Sequence, residues 1–144
     1  MSFKLFSEIF DEFNEAKTKN ERVEVLKKNK TPRFLEFVAI YFNKNVKFVT
    51  EIPEYKTSFD PAGLNYVYLQ NEVTKLYRFI ENHPKRPAGL SKEKSKMLLI
   101  QVLEGLHKDE AKLLCGLIKK DLGIKFFTPK LVKEAYPELN IAEE

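Results

Sequence analysis

At 144 residues, with 43% hydrophobic and 32% charged side chains and only five glycines, the chain has the size and composition of one globular domain around one core. One cysteine and two histidines exclude an intramolecular disulfide and a Cys/His zinc site. The apolar run Met97–Leu103 is interrupted by Gln101 and is far too short to span a membrane, no signal-peptide pattern opens the chain, and the net charge of +4 leaves the partner open, so a reducing, cytoplasmic setting is expected.

Phe3, Phe6, Ile9, Phe10 and Phe13 recur at steps of three and four with Glu8, Asp11, Glu12 and Glu15 between them, which predicts an amphipathic helix opening after Ser2 with an acidic outer face. Thr18 and Glu21 have capping-box spacing, so a second helix runs to about Lys28 on Val23 and Leu26. Thr31-Pro32 opens a third over Phe34–Phe42. Phe34, Leu35, Val38, Ile40, Tyr41 and Phe42 are too many for a narrow stripe, which predicts a helix buried around most of its circumference. From Val46 to Gly63 the periodicity fails, Pro53, Pro61 and Gly63 appear, and Val46, Phe48 and Val49 alternate as a short extended piece would: a long ordered loop.

Helical spacing returns over Asn65–Asn82 through Val67, Leu69, Val73, Leu76, Tyr77 and Ile80, His83-Pro84 stops it, and Lys85–Gly89 forms a basic turn. Ser91 caps a helix through Leu106. Asp109 starts its hairpin partner on Ala111, Leu114, Cys115, Leu117, Ile118 and Leu122, with Gly123 as the exit. Thr128-Pro129 opens a last short helix ended by Pro137, and Ala142–Glu144 fray. The expected fold is all-α, a compact bundle of six to seven helices with one long ordered loop in its middle, spanning residues 1–144 as a single domain.

The glycines stand singly, without GxGxxG or GxxxxGK[ST] spacing. His107 near Asp109 and Glu110 has the composition of a proton relay, but a lone histidine at a helix junction is a surface or capping residue. Cys115 sits in an apolar run that makes it an inert core thiol, and no carboxylate pair has partners that would separate its pKa values. No catalytic residue, cofactor or metal is therefore expected. Charge says more by region: residues 1–72 are neutral, whereas residues 73–133 carry 14 Lys/Arg against 6 Asp/Glu, a net of +8. Such a field suits a phosphate backbone. The plainer alternative is that exposed lysines serve solubility and that Lys119 and Lys120 answer a helix C-terminus. Phe and Tyr follow core periodicity and do not interleave with basic residues.

Leu5–Phe13, Val25–Lys30, Phe42–Pro53, Arg86-Pro87-Ala88-Gly89-Leu90, Glu110–Leu114, Leu117–Gly123 and Tyr136-Pro137-Glu138-Leu139 follow one another in an order and spacing that resembles the N-terminal helical domain of bacteriophage-type ATP-dependent DNA ligases over most of the chain. In that family the domain holds duplex DNA around a nick and precedes the nucleotidyltransferase domain. No Lys-x-Asp-Gly adenylation motif occurs here, so the resemblance implies a DNA-holding part without ligase chemistry, suited to a phage accessory protein in the host cytoplasm. The first expected function is a non-catalytic module for duplex DNA, nicked or intact. Lys85, Arg86, Lys119, Lys120, Lys125, Lys130 and Lys133 would meet phosphates, aided by helix N-terminal amides after Ser91 and Thr128. The second is an adaptor for a host or replication protein, with Phe48, Tyr55, Phe59 and Tyr66 of the middle loop as anchors unless they tuck onto the core.

Overall fold

A computed structural model describes residues 4–57, 67–81 and 83–139. It is all-α: α1 (Phe6–Glu15), α2 (Lys19–Lys28), α3 (Pro32–Phe42), α4 (Leu69–Glu72) continued by a 3-10 helix (Val73–Phe79), α5 (Lys92–Gly105), α6 (Lys108–Lys119) and α7 (Pro129–Ala135). Four helix starts follow from hydroxyl caps. Thr18, Thr31, Ser91 and Thr128 accept from the amides of Glu21, Phe34, Lys94 and Leu131 at 3.1, 3.2, 3.1 and 3.3 Å. The Glu21 carboxylate reaches past its capping partner to the Lys17 N–H at 2.9 Å.

Three helix ends differ from the sequence expectation. α1 begins at Phe6 because the Glu8 carboxylate accepts the Leu5 N–H at 2.9 Å and makes Leu5 the cap. α6 begins under His107, whose Nδ1 accepts the Asp109 N–H at 3.2 Å. It ends in a Schellman turn at Lys120 (φ +61°), three residues before Gly123: the Lys120 N–H donates to Leu117 and the Asp121 N–H to Gly116, at 3.1 and 2.8 Å. A Cβ on Gly116 would stand 3.0 Å from both the Asp121 carbonyl oxygen and the Leu122 Cα, so this return needs glycine.

The expected Asn65–Asn82 helix is instead one α-turn that tightens into the 3-10 helix, which buries Val73, Leu76 and Phe79 at a period of three. Its end pairs with the middle loop. Phe48 bridges Ile80 in antiparallel fashion, the Val49 N–H donates to Phe79 at 2.8 Å and the Glu81 N–H to Lys47 at 2.7 Å. Phe48 and Tyr55 pack against the core, and the Cys115 thiol donates to the Tyr55 hydroxyl at 3.8 Å, so these two anchors are tucked onto the bundle. Ser2, Phe3, Phe59, Pro61, Gly63, Asn65, Tyr66, Asn82 and Ala142–Glu144 lie outside the described residues.

The core is aromatic at its centre, with Phe6, Phe10, Phe34, Phe37, Phe127 and Tyr136 in ring-to-ring contact. α3 is central but not buried all round: Phe34, Phe37 and Val38 are fully enclosed, whereas Leu35, Ile40, Tyr41 and Phe42 are half-buried. α7 packs along α2, and the Tyr136 hydroxyl donates to the Leu26 carbonyl. That packing sets the charge-neutral first half of the chain against the basic second half. No helix among the described residues is long and apolar enough to cross a membrane.

Candidate nucleic-acid interface

The connection between α6 and α7 is built around Phe127, which inserts between the rings of Phe10, Phe13 and Phe42 and is 6% exposed. To deliver it, Phe126 takes φ +68° and the Thr128 N–H donates back to the Phe126 carbonyl at 3.0 Å, closing a γ-turn centred on Phe127. A left-handed backbone costs a non-glycine residue about 1–2 kcal/mol. Burial of its own ring does not offset this, since Phe126 is 56% exposed. Arg22 of α2 lays its guanidinium over that ring, 3.9 Å from the centroid.

Two cavities share this Arg22–Phe126 stack. One, about 240 Å³, is lined by Lys19, Arg22, Phe126, Thr128, Lys130 and Leu131. The other, about 360 Å³, is lined by Phe13, Asn14, Arg22, Gly123, Lys125 and Phe126. Four cations and no carboxylate form their walls. Lys19 also pairs with Glu134 at 2.8 Å, but both are exposed and such pairs contribute little in water. The cavities beside the middle loop have the opposite character. Glu51 and Glu93 alternate with Lys92 and Lys96 in one, and Glu51 and Glu81 with Arg86 and Lys92 in the other, a mixed lining that disfavours a polyanion.

The seven expected phosphate ligands therefore separate. Lys125 and Lys130 line the basic cavities, and Lys119 and Lys85 are exposed. Lys133 is half-buried on α7 and has an interaction of its own. Arg86 is spent on the fold: its guanidinium donates to the carbonyls of Arg78 and Leu90 and to the Ser95 hydroxyl at 3.0, 2.9 and 3.0 Å, binding the 83–90 turn to the 3-10 helix and α5. Lys120 is spent likewise. Its ammonium donates to the carbonyls of Ile40, Tyr41 and Asn43 at 2.6, 3.2 and 2.9 Å, satisfying the C-terminal end of α3, and burial lowers its pKa to about 8.

Lys120→Met is accordingly expected to lower stability by about 1–2 kcal/mol in urea unfolding, since it strands carbonyls at a helix end. The folded state holds this proton less tightly than the unfolded chain does, so the Lys120 contribution rises with pH between about 8 and the ordinary 10.5. The gap between the wild type and Lys120→Met should widen over that window.

Lys19, Arg22 and Phe126 are not among the residues expected from sequence. The two basic residues belong to the neutral half, a hundred positions from their neighbours, and reach the site only through the α2–α7 packing. The one local signal is Lys125-Phe126-Phe127, two adjacent aromatics of which a single inward face takes only one. A family model described as "Family of unknown function (DUF6433)" matches residues 9–124, a span that holds Lys19 and Arg22 and stops just short of Phe126. No curated protein matches the chain.

Proposed function

The chain belongs to this family of unknown function, so its role has to be read from its own side chains, and we propose that it is a non-catalytic, sequence-nonspecific DNA-binding module. Lys19, Arg22, Lys125 and Lys130 hold phosphates, and Lys119, at the head of the same connection, extends the set. The observation that carries the reading is the carboxylate-free pair of cavities around Arg22 and Phe126. Counterion release makes such a cluster of cations favourable on a duplex that carries one charge per roughly 1.7 Å of axis, whatever its sequence. Kinship with ligase N-terminal domains belongs to the same proposal. Leu117–Gly123, one of the segments that carries the likeness, runs up to Gly123 in the wall of the second cavity.

Fluorescence anisotropy on nicked and intact duplexes across a salt series tests this. The logarithm of the association constant should fall linearly with that of salt, and replacing Arg22, Lys125 and Lys130 together by serine should reduce the slope by roughly 2–3, about 0.9 for each phosphate that is no longer neutralised. Lys120→Met should leave the slope unchanged. Absence of binding at low salt, or a triple variant with the slope of the wild type, rejects the assignment.

A further inference from the structure

Phosphate binding accounts for the cations but not for the aromatic ring in their midst. Among the described residues Phe126 is one of two large hydrophobic side chains with most of their surface exposed, and the other, Met97, projects from the middle of α5. The left-handed φ of Phe126 turns its ring outward, and the γ-turn that follows fixes its neighbour Phe127 in the core, so the Phe126 ring cannot swing inward without unseating Phe127. The planar guanidinium of Arg22 lies over the Phe126 ring. An aromatic ring and a guanidinium already stacked, open to solvent and flanked by Lys19, Lys125 and Lys130, have the chemistry that an extruded nucleotide requires: a π-face for the base and cations for the phosphates on either side.

We infer that Phe126, backed by Arg22, is a stacking platform for an unpaired DNA base, so that the preferred ligand is single-stranded or gapped DNA. This rests on the phosphate-binding reading above and goes beyond it. In a continuous duplex every base is stacked on its neighbours and offers the ring no face, so there Phe126 adds nothing. On a strand with free bases each stacking interaction adds to the phosphate term without adding to its salt dependence.

Phe126→Gly is the suitable variant, because glycine adopts φ +68° freely and the turn is preserved. On a single-stranded oligo(dT) and on a gapped duplex the loss of the ring should weaken binding by about 5–150-fold, the range that stacking of one base supports. Affinity for continuous duplex and the salt slopes on all three should not change. Phe126→Trp provides a second readout: the chain has no tryptophan, so this indole is the only one, and oligo(dT) but not duplex should quench its emission. Equal affinities of Phe126→Gly and wild type on the single strand, or an equal loss on single strand and duplex, overturns the platform while the salt-dependent binding stands. No binding of any probe by the wild type overturns the phosphate reading itself.

Discussion

Replacing Glu110 by alanine should lower the unfolding free energy by about 2–6 kcal/mol, because it strands two buried amides at roughly 1–3 kcal/mol each. Glu110 is fully buried, and its two oxygens accept the N–H groups of Phe6 and Leu69, each at 3.1 Å. Those are the first residues of α1 and α4, and Glu110 itself stands in the first turn of α6, so one carboxylate answers the positive ends of three helices. Burial nevertheless pushes its pKa above the ordinary 4.5, with the two backbone bonds opposing the rise. A folded state that holds the proton more tightly than the unfolded chain is most favoured at low pH. The Glu110 contribution is thus complete below 4.5 and declines as pH rises from there toward the folded value.

Glu110→Gln keeps the shape but offers one acceptor and turns an NH₂ toward the second amide, so it should fall between alanine and wild type. Since glutamine does not titrate, the gap between wild type and Glu110→Gln should narrow as pH rises through the weakly acidic range. Urea unfolding across that range measures both effects. An alanine variant within about 0.5 kcal/mol of wild type, the size of an ordinary surface substitution, would show that water replaces the carboxylate at both amides.

Phe34→Ala should cost about 3–5 kcal/mol, the usual range for removing a buried phenylalanine. Its ring is inaccessible to solvent and lies 5.2, 5.5, 6.4 and 6.4 Å from those of Phe6, Phe10, Phe37 and Tyr136, so truncation opens a cavity that four other aromatics border. The urea midpoint should fall with an unchanged m-value. A decrease in m would mean instead that α1 has come away from α3.

Local signals in the sequence are legible where one residue type has one job. The four hydroxyl caps and the two Thr-Pro starts need no tertiary information, and they bear out the all-α expectation. Expectation and structure part where two geometries fit the same letters. Leu69, Val73, Leu76 and Ile80 follow α-helical steps of four, three and four, while Val73, Leu76 and Phe79 follow the three-residue step of a 3-10 helix. Only the pairing of Phe79 and Ile80 with the middle loop decides between them. Gly123 has the residue type of a helix exit, yet α6 ends at Lys120, whose long side chain is recruited by carbonyls eighty residues away.

The candidate site is half legible for a related reason. Counting charge locates Lys125 and Lys130, but a count does not reveal which cations other parts of the fold already hold, as at Arg86 and Lys120. Nor does it reveal which residues of a neutral segment will be carried next to them, as Arg22 is. Exposure of Phe126 follows from a backbone angle that its residue type gives no reason to expect.

The Phe6–Glu110 and Leu26–Tyr136 bonds bear also on how the chain reaches this structure. They join positions 104 and 110 residues apart, and Phe127 closes the aromatic cluster against α1 from equally far along. Helical bundles that fold in microseconds do so because their partners are close neighbours along the chain. Here α1 has ring partners nearby in Phe34 and Phe37 of α3, but its hydrogen-bond acceptor Glu110 and the Phe127 ring come only from the last quarter of the chain. The apolar face of α1 can settle early on α2 and α3, yet the Phe6 amide and the outer sides of Phe10 and Phe13 stay uncovered until α6 and Phe127 are in place.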